Sequence, residues 1–240
     1  MMTGATRLPR VQRTEEPPRG WFVTLDGPDG GGKTTQAARL AAHLRAGVRG
    51  SSLVRETREP GGTWLGERVR EILLARTGST AATDPLADAL LFNAARRQLV
   101  REVVDPALDA GETVVCARFA DSTLAYQGYG AGVSLDLLRS LADAATNGRR
   151  PDLTIILDVP AEVGLGRKAP GDVTRFEAEF DLDFHRRVRD GFLAIAAAEP
   201  ERVVVVDATL EVDDVAAAIA ALADRHLAGE PNRVDVRIHP

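Results

Sequence analysis

A single cysteine, Cys116, occurs in 240 residues. That rules out an intrachain disulfide and any zinc site built from several thiolates, and it fits a reducing compartment. Cys116 closes an apolar run, where a thiol packs as a small hydrophobe rather than acting as a nucleophile. The four histidines, at positions 43, 185, 226 and 239, show no metal-ligand spacing. No apolar run reaches the length of a membrane span, and the N-terminal stretch has no apolar signal-peptide core, so the expectation is a cytoplasmic protein without membrane contact. An excess of positive charge is missing too. The formal net charge of -5 argues against a nucleic-acid partner, because duplex binding needs a basic face that displaces counterions from phosphate. There is no internal repeat and no low-complexity block.

What is present is the composition of an ordinary globular chain, 44% hydrophobic and 27% charged, enough for one three-layer domain. Residues 1–19 mix Arg, Pro, Glu and Thr and bury too little to offset chain entropy, so a disordered extension is expected there. The domain is expected over 20–228. Within it, short β-branched runs at 21–25, 52–56, 113–116, 153–157 and 202–206 alternate with helical patterns around 33–46, 64–76, 85–109, 134–145, 176–198 and 211–228. Such alternation predicts an α/β fold, a five-stranded parallel sheet flanked by helices on both faces. Ligands of such sheets gather at the carboxyl ends of the strands. Pro106 predicts a bend or an end in the third helix. The tail 229–240 alternates Val234, Val236 and Ile238 with charges, the pattern of either an edge strand or a frayed terminus.

The most specific motif is Gly27-Pro28-Asp29-Gly30-Gly31-Gly32-Lys33-Thr34-Thr35, between the first strand and the first helix. Glycines at both ends of this loop let backbone N–H groups turn inward around a polyphosphate. Lys33 reaches the outer phosphates, and the Thr34 hydroxyl suits a magnesium ion. The helix that follows aims its positive end at the same anion. The loop predicts a three-layer P-loop NTPase fold and a nucleoside triphosphate ligand, ATP with Mg2+. Phosphoryl transfer needs positioned cations more than a covalent nucleophile. Arg58 follows the second strand and Arg118 the third, on the rim of the phosphate loop. Arg167, Lys168 and Arg175 frame a segment, about 166–176, whose Ala169-Pro170-Gly171 cannot continue a helix. A basic loop between two helices predicts a short lid.

Five runs in order resemble the bacterial thymidylate kinases (dTMP kinases), which are P-loop nucleoside monophosphate kinases. They are the phosphate loop; Arg58-Glu59-Pro60-Gly61-Gly62-Thr63; Leu91-Phe92-Asn93-Ala94-Ala95-Arg96; the run from Arg118 that ends Ala125-Tyr126-Gln127-Gly128; and Arg150-Pro151-Asp152-Leu153-Thr154 up to Asp158. The similarity covers about 20–228. It implies transfer of the γ-phosphate of ATP to dTMP, giving dTDP and ADP for dTTP biosynthesis, by a homodimer. It also implies roles. Phe92 stacks on thymine, Arg96 donates to the carbonyl at position 4, Thr123 bonds the base edge beside Gln127, and Tyr126 crowds the 2′ position of the sugar. Arg58 and Arg118 clamp the acceptor phosphate, and Asp29 meets the acceptor's 3′-hydroxyl. Taken alone, Phe92 reads as a core residue, Arg96 as a solvated charge, and Tyr126 equally as packing.

Gly31 stands where one class of the family places an arginine, and the class with glycine supplies that charge from the lid. Arg167 is then the first choice for the transition-state cation, with Lys168 and Arg175 behind it. The chain departs from the family at Ala117, where an aspartate normally precedes the arginine and holds the hydration shell of the metal. Asp26 and Asp158 end two other strands and are candidates for that task, so Thr34 and Asp158 form the expected metal set. The lid reads Thr174-Arg175-Phe176-Glu177 where relatives often have Asp-Arg before an apolar residue and Glu. The alternatives are a kinase for another or modified pyrimidine monophosphate, and a nucleotide-binding paralogue weakened in catalysis. The Ala/Leu-rich helix over 135–145 is the candidate dimer surface.

Overall fold

Val and Ile dominate the strands because β-branched side chains suit a pleated surface covered on both faces. A computed structural model describes residues 20–47, 53–75, 83–169, 171 and 173–230. Expectations for 1–19, for the tail 231–240, and for residues 52, 76, 170 and 172 lie outside the described residues. The strands are β1 (Phe22–Asp26), β2 (Val54–Arg58), β3 (Thr113–Ala117), β4 (Leu153–Asp158) and β5 (Val203–Asp207), all parallel in the order β2-β3-β1-β4-β5. Leu25 lies in register between Ala117 of β3 and Ile155 of β4, and Ala117 in turn faces Arg58 of β2. The helices are α1 (Lys33–Ala46), α2 (Trp64–Leu74), α3 (Pro85–Leu99), α4 (Asp105–Asp109), α5 (Ala120–Thr123), α6 (Leu135–Thr146), α7 (Ala161–Gly166), α8 (Arg175–Glu179), α9 (Leu182–Ala198) and α10 (Val212–Leu227).

Period-two alternation divides the core between two faces. Val23, Leu25, Val115, Ala117, Ile155 and Val204 pack with Leu40 and Ala41 of α1 and Val215 and Ile219 of α10. On the other face Phe22, Val114 and Cys116 meet Leu99 and Leu108, while Ile156 and Val203 meet α9 through Phe192 and Ile195. Cys116 is a buried core thiol, and burial pushes its pKa well up. β1 is central: the chain leaves β1 toward β2 on one side, and leaves β3 toward β4 on the other. That switch point opens a crevice at the strands' carboxyl ends.

Several boundaries differ from the expected ones. The second strand runs two residues later than expected, because it pairs with β3 from Val54 opposite Thr113. The helix expected over 85–109 passes Pro106 without ending. It widens to π-helical bonding over Val100–Val104, where the Asp105 N–H donates to the Val100 carbonyl, and the proline then falls in the first turn of α4, where its missing N–H costs nothing. The helix expected over 176–198 is two: Asp181 caps α9, its carboxylate accepting from the Phe184 N–H at 2.8 Å. Two helical segments, α7 and the run from Ala120 through the π-helical Leu124–Gly130, were not expected.

Candidate active site

The phosphate loop is fixed by its close approach to β4 and α7. Gly30 has φ 74°, and a Cβ there would lie 1.9 Å from the Gly164 carbonyl oxygen, so no other residue fits. Gly32, in the left-handed region, starts α1, whose first turn carries no acid and leaves the helix's positive end for an anion. Lys33 is buried, and its Nζ donates to the carbonyls of Gly27 (2.9 Å) and Pro28 (2.5 Å). Burial first, and Arg118 second, push its pKa down to about 7 against the pull of Asp29 and Asp26.

The loop opens on a cleft of about 460 Å³. Among its lining residues are Asp29, Gly30, Gly32, Lys33, Thr34, Thr35, Arg58, Phe92, Arg96, Arg118, Thr123, Tyr126, Gln127 and Arg167. The structure thus brings together nearly all of the sequence-expected site. Gly27 and Gly31 shape the loop behind it, where Gly31 donates its N–H to the Pro28 carbonyl at 3.3 Å.

Arg118 takes a left-handed backbone, φ 71°, that aims its side chain across the cleft. Its Nη2 donates to Asp29 Oδ1 at 2.5 Å, and its guanidinium lies 5.2 Å from the centre of the Tyr126 ring. Burial alone would raise the Asp29 carboxyl, but Arg118, Lys33 and Lys168 together bring it down to about 2. Asp29 Oδ2 and the Tyr126 hydroxyl are buried without hydrogen-bond partners among the described residues. Arg58, at the end of β2, is held by both oxygens of Glu67 (3.0 and 3.1 Å).

Arg96 is 1% exposed and belongs to a buried network. Its Nε donates to Glu59 Oε2 (2.9 Å), its Nη1 to Asn93 Oδ1 (2.9 Å), and its Nη2 to Thr123 Oγ1 (2.9 Å) and the Phe119 carbonyl (3.2 Å). Phe92, one turn earlier on α3, tilts against Phe176 of α8 with ring centres 6.2 Å apart. Gln127 Oε1 is buried and has no partner among the described residues.

The lid cations divide by place. Arg167 hooks onto the carbonyls of Ala208 (2.7 Å), Thr209 (3.4 Å) and Gly30 (3.5 Å), at the outer end of the phosphate loop. Lys168 pairs with Glu177, which also caps α8, and its charge acts on Asp29 and Lys33. Arg175 is buried and pinned to Asp88 (2.7 Å) and the Leu73 carbonyl (3.1 Å), so it fastens α8 to α2 and α3 instead of facing the phosphate loop.

Asp158 does not line the cleft. Both its oxygens accept from Arg189 at 2.7 Å. This corrects its placement in the expected metal set: Thr34 lines the cleft and Asp158 does not, its carboxylate being turned to Arg189 of α9 instead. Asp26 points to the opposite sheet face from Ala117, accepting from Ser122 Oγ at 2.5 Å, and burial raises its pKa. Thr34 remains, exposed at the start of α1. Mg2+ keeps several waters and is held by substrate phosphates plus one or two protein groups, so one hydroxyl beside a phosphate cradle fits it. Arg70 was missed in the sequence. It projects from α2 into the cleft, half-buried, and donates to the Pro60 carbonyl at 3.1 Å, with Arg58 and Arg118 close enough to lower its pKa after burial. Its neighbours Arg68 and Glu71 make an exposed pair, so in sequence it looked like one more solvated charge.

A parallel sheet with this strand order, a glycine-rich loop between β1 and α1, and cations at the switch point define a P-loop kinase of the nucleoside monophosphate type. The thymidylate kinase family profile matches residues 25–219, and the chain belongs to that family. It is 53% identical over 209 residues to the thymidylate kinase of Deinococcus radiodurans, covering 86% of this chain and 98% of that one. It is 52% identical over 203 residues to the thymidylate kinase of Thermomicrobium roseum, covering 84% and 93%. A crystal structure of a thymidylate kinase from Ehrlichia chaffeensis superimposes with a TM-score of 0.67 at 36% identity, over 86% of this chain and 99% of that one.

Proposed function

We propose that the protein transfers the γ-phosphate of ATP to dTMP, giving dTDP and ADP, in the cytoplasm, with Mg2+ bound to the donor. The observation that carries this reading is that Lys33 and Thr34, the arginines at 58, 70 and 118, and Phe92, Arg96, Thr123 and Gln127 line one cleft. Its size suits two nucleotide tails meeting end to end. The loop amides and Lys33 hold the donor's outer phosphates. Arg118, with Arg58 and Arg70, takes the acceptor phosphate, since a guanidinium fork matches phosphate oxygens. The acceptor phosphate then competes with Asp29 for Arg118, which turns the Asp29 carboxylate toward the acceptor's 3′-hydroxyl. Phosphate oxygens are competent nucleophiles, so Asp29 positions and does not act as a general base. When bound, Mg2+ neutralises charge on the donor phosphates, and Thr34 is the protein group that holds it. Arg167 and Lys168 both line the cleft. Lys168 replaces Arg167, the first choice from sequence, as the lid cation for the transferred group, since Arg167 reaches the carbonyls of Ala208, Thr209 and Gly30 while Lys168 can exchange its Glu177 partner for the phosphate.

The protein acts as a homodimer. Trp64 and Ile72 of α2 are 77% and 62% exposed, and Leu90 of α3 and Leu137 of α6 are exposed as well, on helices that pack α2 on α3 and α3 on α6. Exposed apolar surface of that kind supports association. α6 turns most of its apolar face inward, Leu138 and Ala142 being buried, so α2 carries the larger share of this surface.

An ADP-release assay with dTMP, dUMP, dCMP, dAMP and dGMP tests the reading. Turnover confined to dTMP, or much faster with it, is expected. Preference for another pyrimidine monophosphate replaces the substrate, and tight ATP binding without turnover replaces the enzyme by a binding protein.

A further inference from the structure

Arg96 has five N–H groups. Four have protein acceptors, leaving one on Nη1 for the cleft. A guanidinium cannot invert its donor character. On the reading above, it faces position 4 of the acceptor's base, where it accepts a carbonyl partner and repels an amino group. The neighbouring acceptor, Gln127 Oε1, has no protein partner among the described residues and suits the ring N–H of a thymine or uracil. Gln127 can turn its amide round to suit either edge. Discrimination therefore depends on Arg96 keeping its place.

Glu59 is the residue that keeps it there. It is buried, it lines the cleft, and its Oε2 takes the Nε–H that sets the plane of the Arg96 fork. Oε1 is buried with no partner among the described residues. Among the described residues, Arg96 is the one hydrogen-bond partner of this carboxylate. We propose that Glu59 is the positioning residue for Arg96, and that its charge sets the discrimination between bases with a carbonyl and bases with an amino group at position 4. This rests on the thymidylate kinase reading of the cleft.

The groups facing Glu59 are Arg96 from α3, Asp26 at the end of β1 and Cys116 on β3. Burial raises its pKa, Arg96 draws it down, Asp26 adds to the rise, and the outcome is about 7. As pH falls through that value Glu59 takes up a proton and its hold on Arg96 weakens from a charged to a neutral hydrogen bond. Discrimination then falls on the acid side of neutrality.

The experiment compares wild type, Glu59→Gln and Glu59→Asp in kcat/KM for dTMP and for dCMP between pH 5.5 and 8.5, with ATP saturating. For Glu59→Gln a rise in KM for dTMP of about tenfold is expected, with KM for ATP and kcat within about twofold. The dTMP-to-dCMP ratio falls by about ten- to a hundredfold, since a site that hydrogen-bonds its substrate discriminates through those bonds. Glu59→Asp keeps the charge and recovers part of the ratio. The wild-type ratio declines below pH 7, and the Gln variant's ratio is flat; ionisation of the acceptor's own phosphate appears in both and cancels. A Gln variant that folds and keeps the wild-type ratio overturns the proposal. So does a loss spread equally over KM for ATP and kcat, or a wild-type ratio constant across this range, which needs no variant to fold. Wild-type protein that leaves dTMP unphosphorylated overturns the kinase reading itself, a result distinct from these.

Discussion

Lys33 illustrates how a functional residue is held at a cost to folding. Its pKa is about 7 in the folded protein against about 10.5 for a free lysine. Between those values the unfolded chain binds the additional proton, so stability rises with pH across the window, and below pH 7 the full penalty applies. At about 1.4 kcal/mol per tenfold, keeping this ammonium charged in its buried place costs about 5 kcal/mol. Lys33→Met is therefore expected to raise the melting temperature at pH 6 to 7 by several degrees, the gain shrinking toward pH 10. Its transfer rate falls by about 10²–10³-fold or more, as when a fixed electrostatic donor is deleted. Thermal melts across pH beside the ADP-release assay check both. Ala117 gives the converse case. Its methyl group lines the cleft on the α1 face, near Lys33 and Thr34. Ala117→Asp adds an acid able to hold metal-bound water, and it is expected to lower the half-saturating Mg2+ concentration severalfold and raise the rate. An unchanged magnesium titration removes that account of the position.

At the scale of elements, α8 is a short helix clasped at its first turn. Glu177 accepts from the Thr174 N–H and hydroxyl and pairs with Lys168, and Arg175 anchors the same turn to Asp88. Lys168→Ala is expected to lower kcat by about 10²-fold with KM for dTMP within a fewfold, while Arg167→Ala acts mainly on KM for ATP; steady-state kinetics with each substrate varied separates them. The sequence carried most of the elements because β-branched runs and amphipathic helices announce themselves. It did not carry the segment from Ala120 to Gly130, whose Ser, Thr and glycines are weak helix formers. That segment is helical through packing on α9, where Gly130 lies against Phe184 and Val188, and Gly191 against Tyr129. The shifted β2 has a similar cause. It is an edge strand of exposed Arg and Glu, so its limits come from pairing with β3 and not from its own apolar pattern. Among site residues, the phosphate loop could be read from spacing alone. Phe92, Arg96 and Tyr126 needed the family, because single residues on helices carry no periodic signal. Arg70 and Glu59 needed coordinates.

The whole molecule sets where surfaces are left over. α2 packs on α3 and α3 on α6, and in this row of helices the exposed Trp64, Ile72, Leu90 and Leu137 are not among the residues lining the phosphate cleft. Ile72→Glu places a charge in that row and is expected to shift the protein from dimer to monomer in sedimentation velocity. A wild-type monomer at micromolar concentration sinks the dimer proposal. The central position of β1 has a further effect on traffic. Acceptor residues come from the β2 and β3 side, while Arg167 and the turn after β5 lie on the other flank. Nucleotides that approach the cleft from these two flanks need not wait for each other, so each is expected to bind the free enzyme by itself, which calorimetric titration of dTMP without ATP and of ATP without dTMP checks.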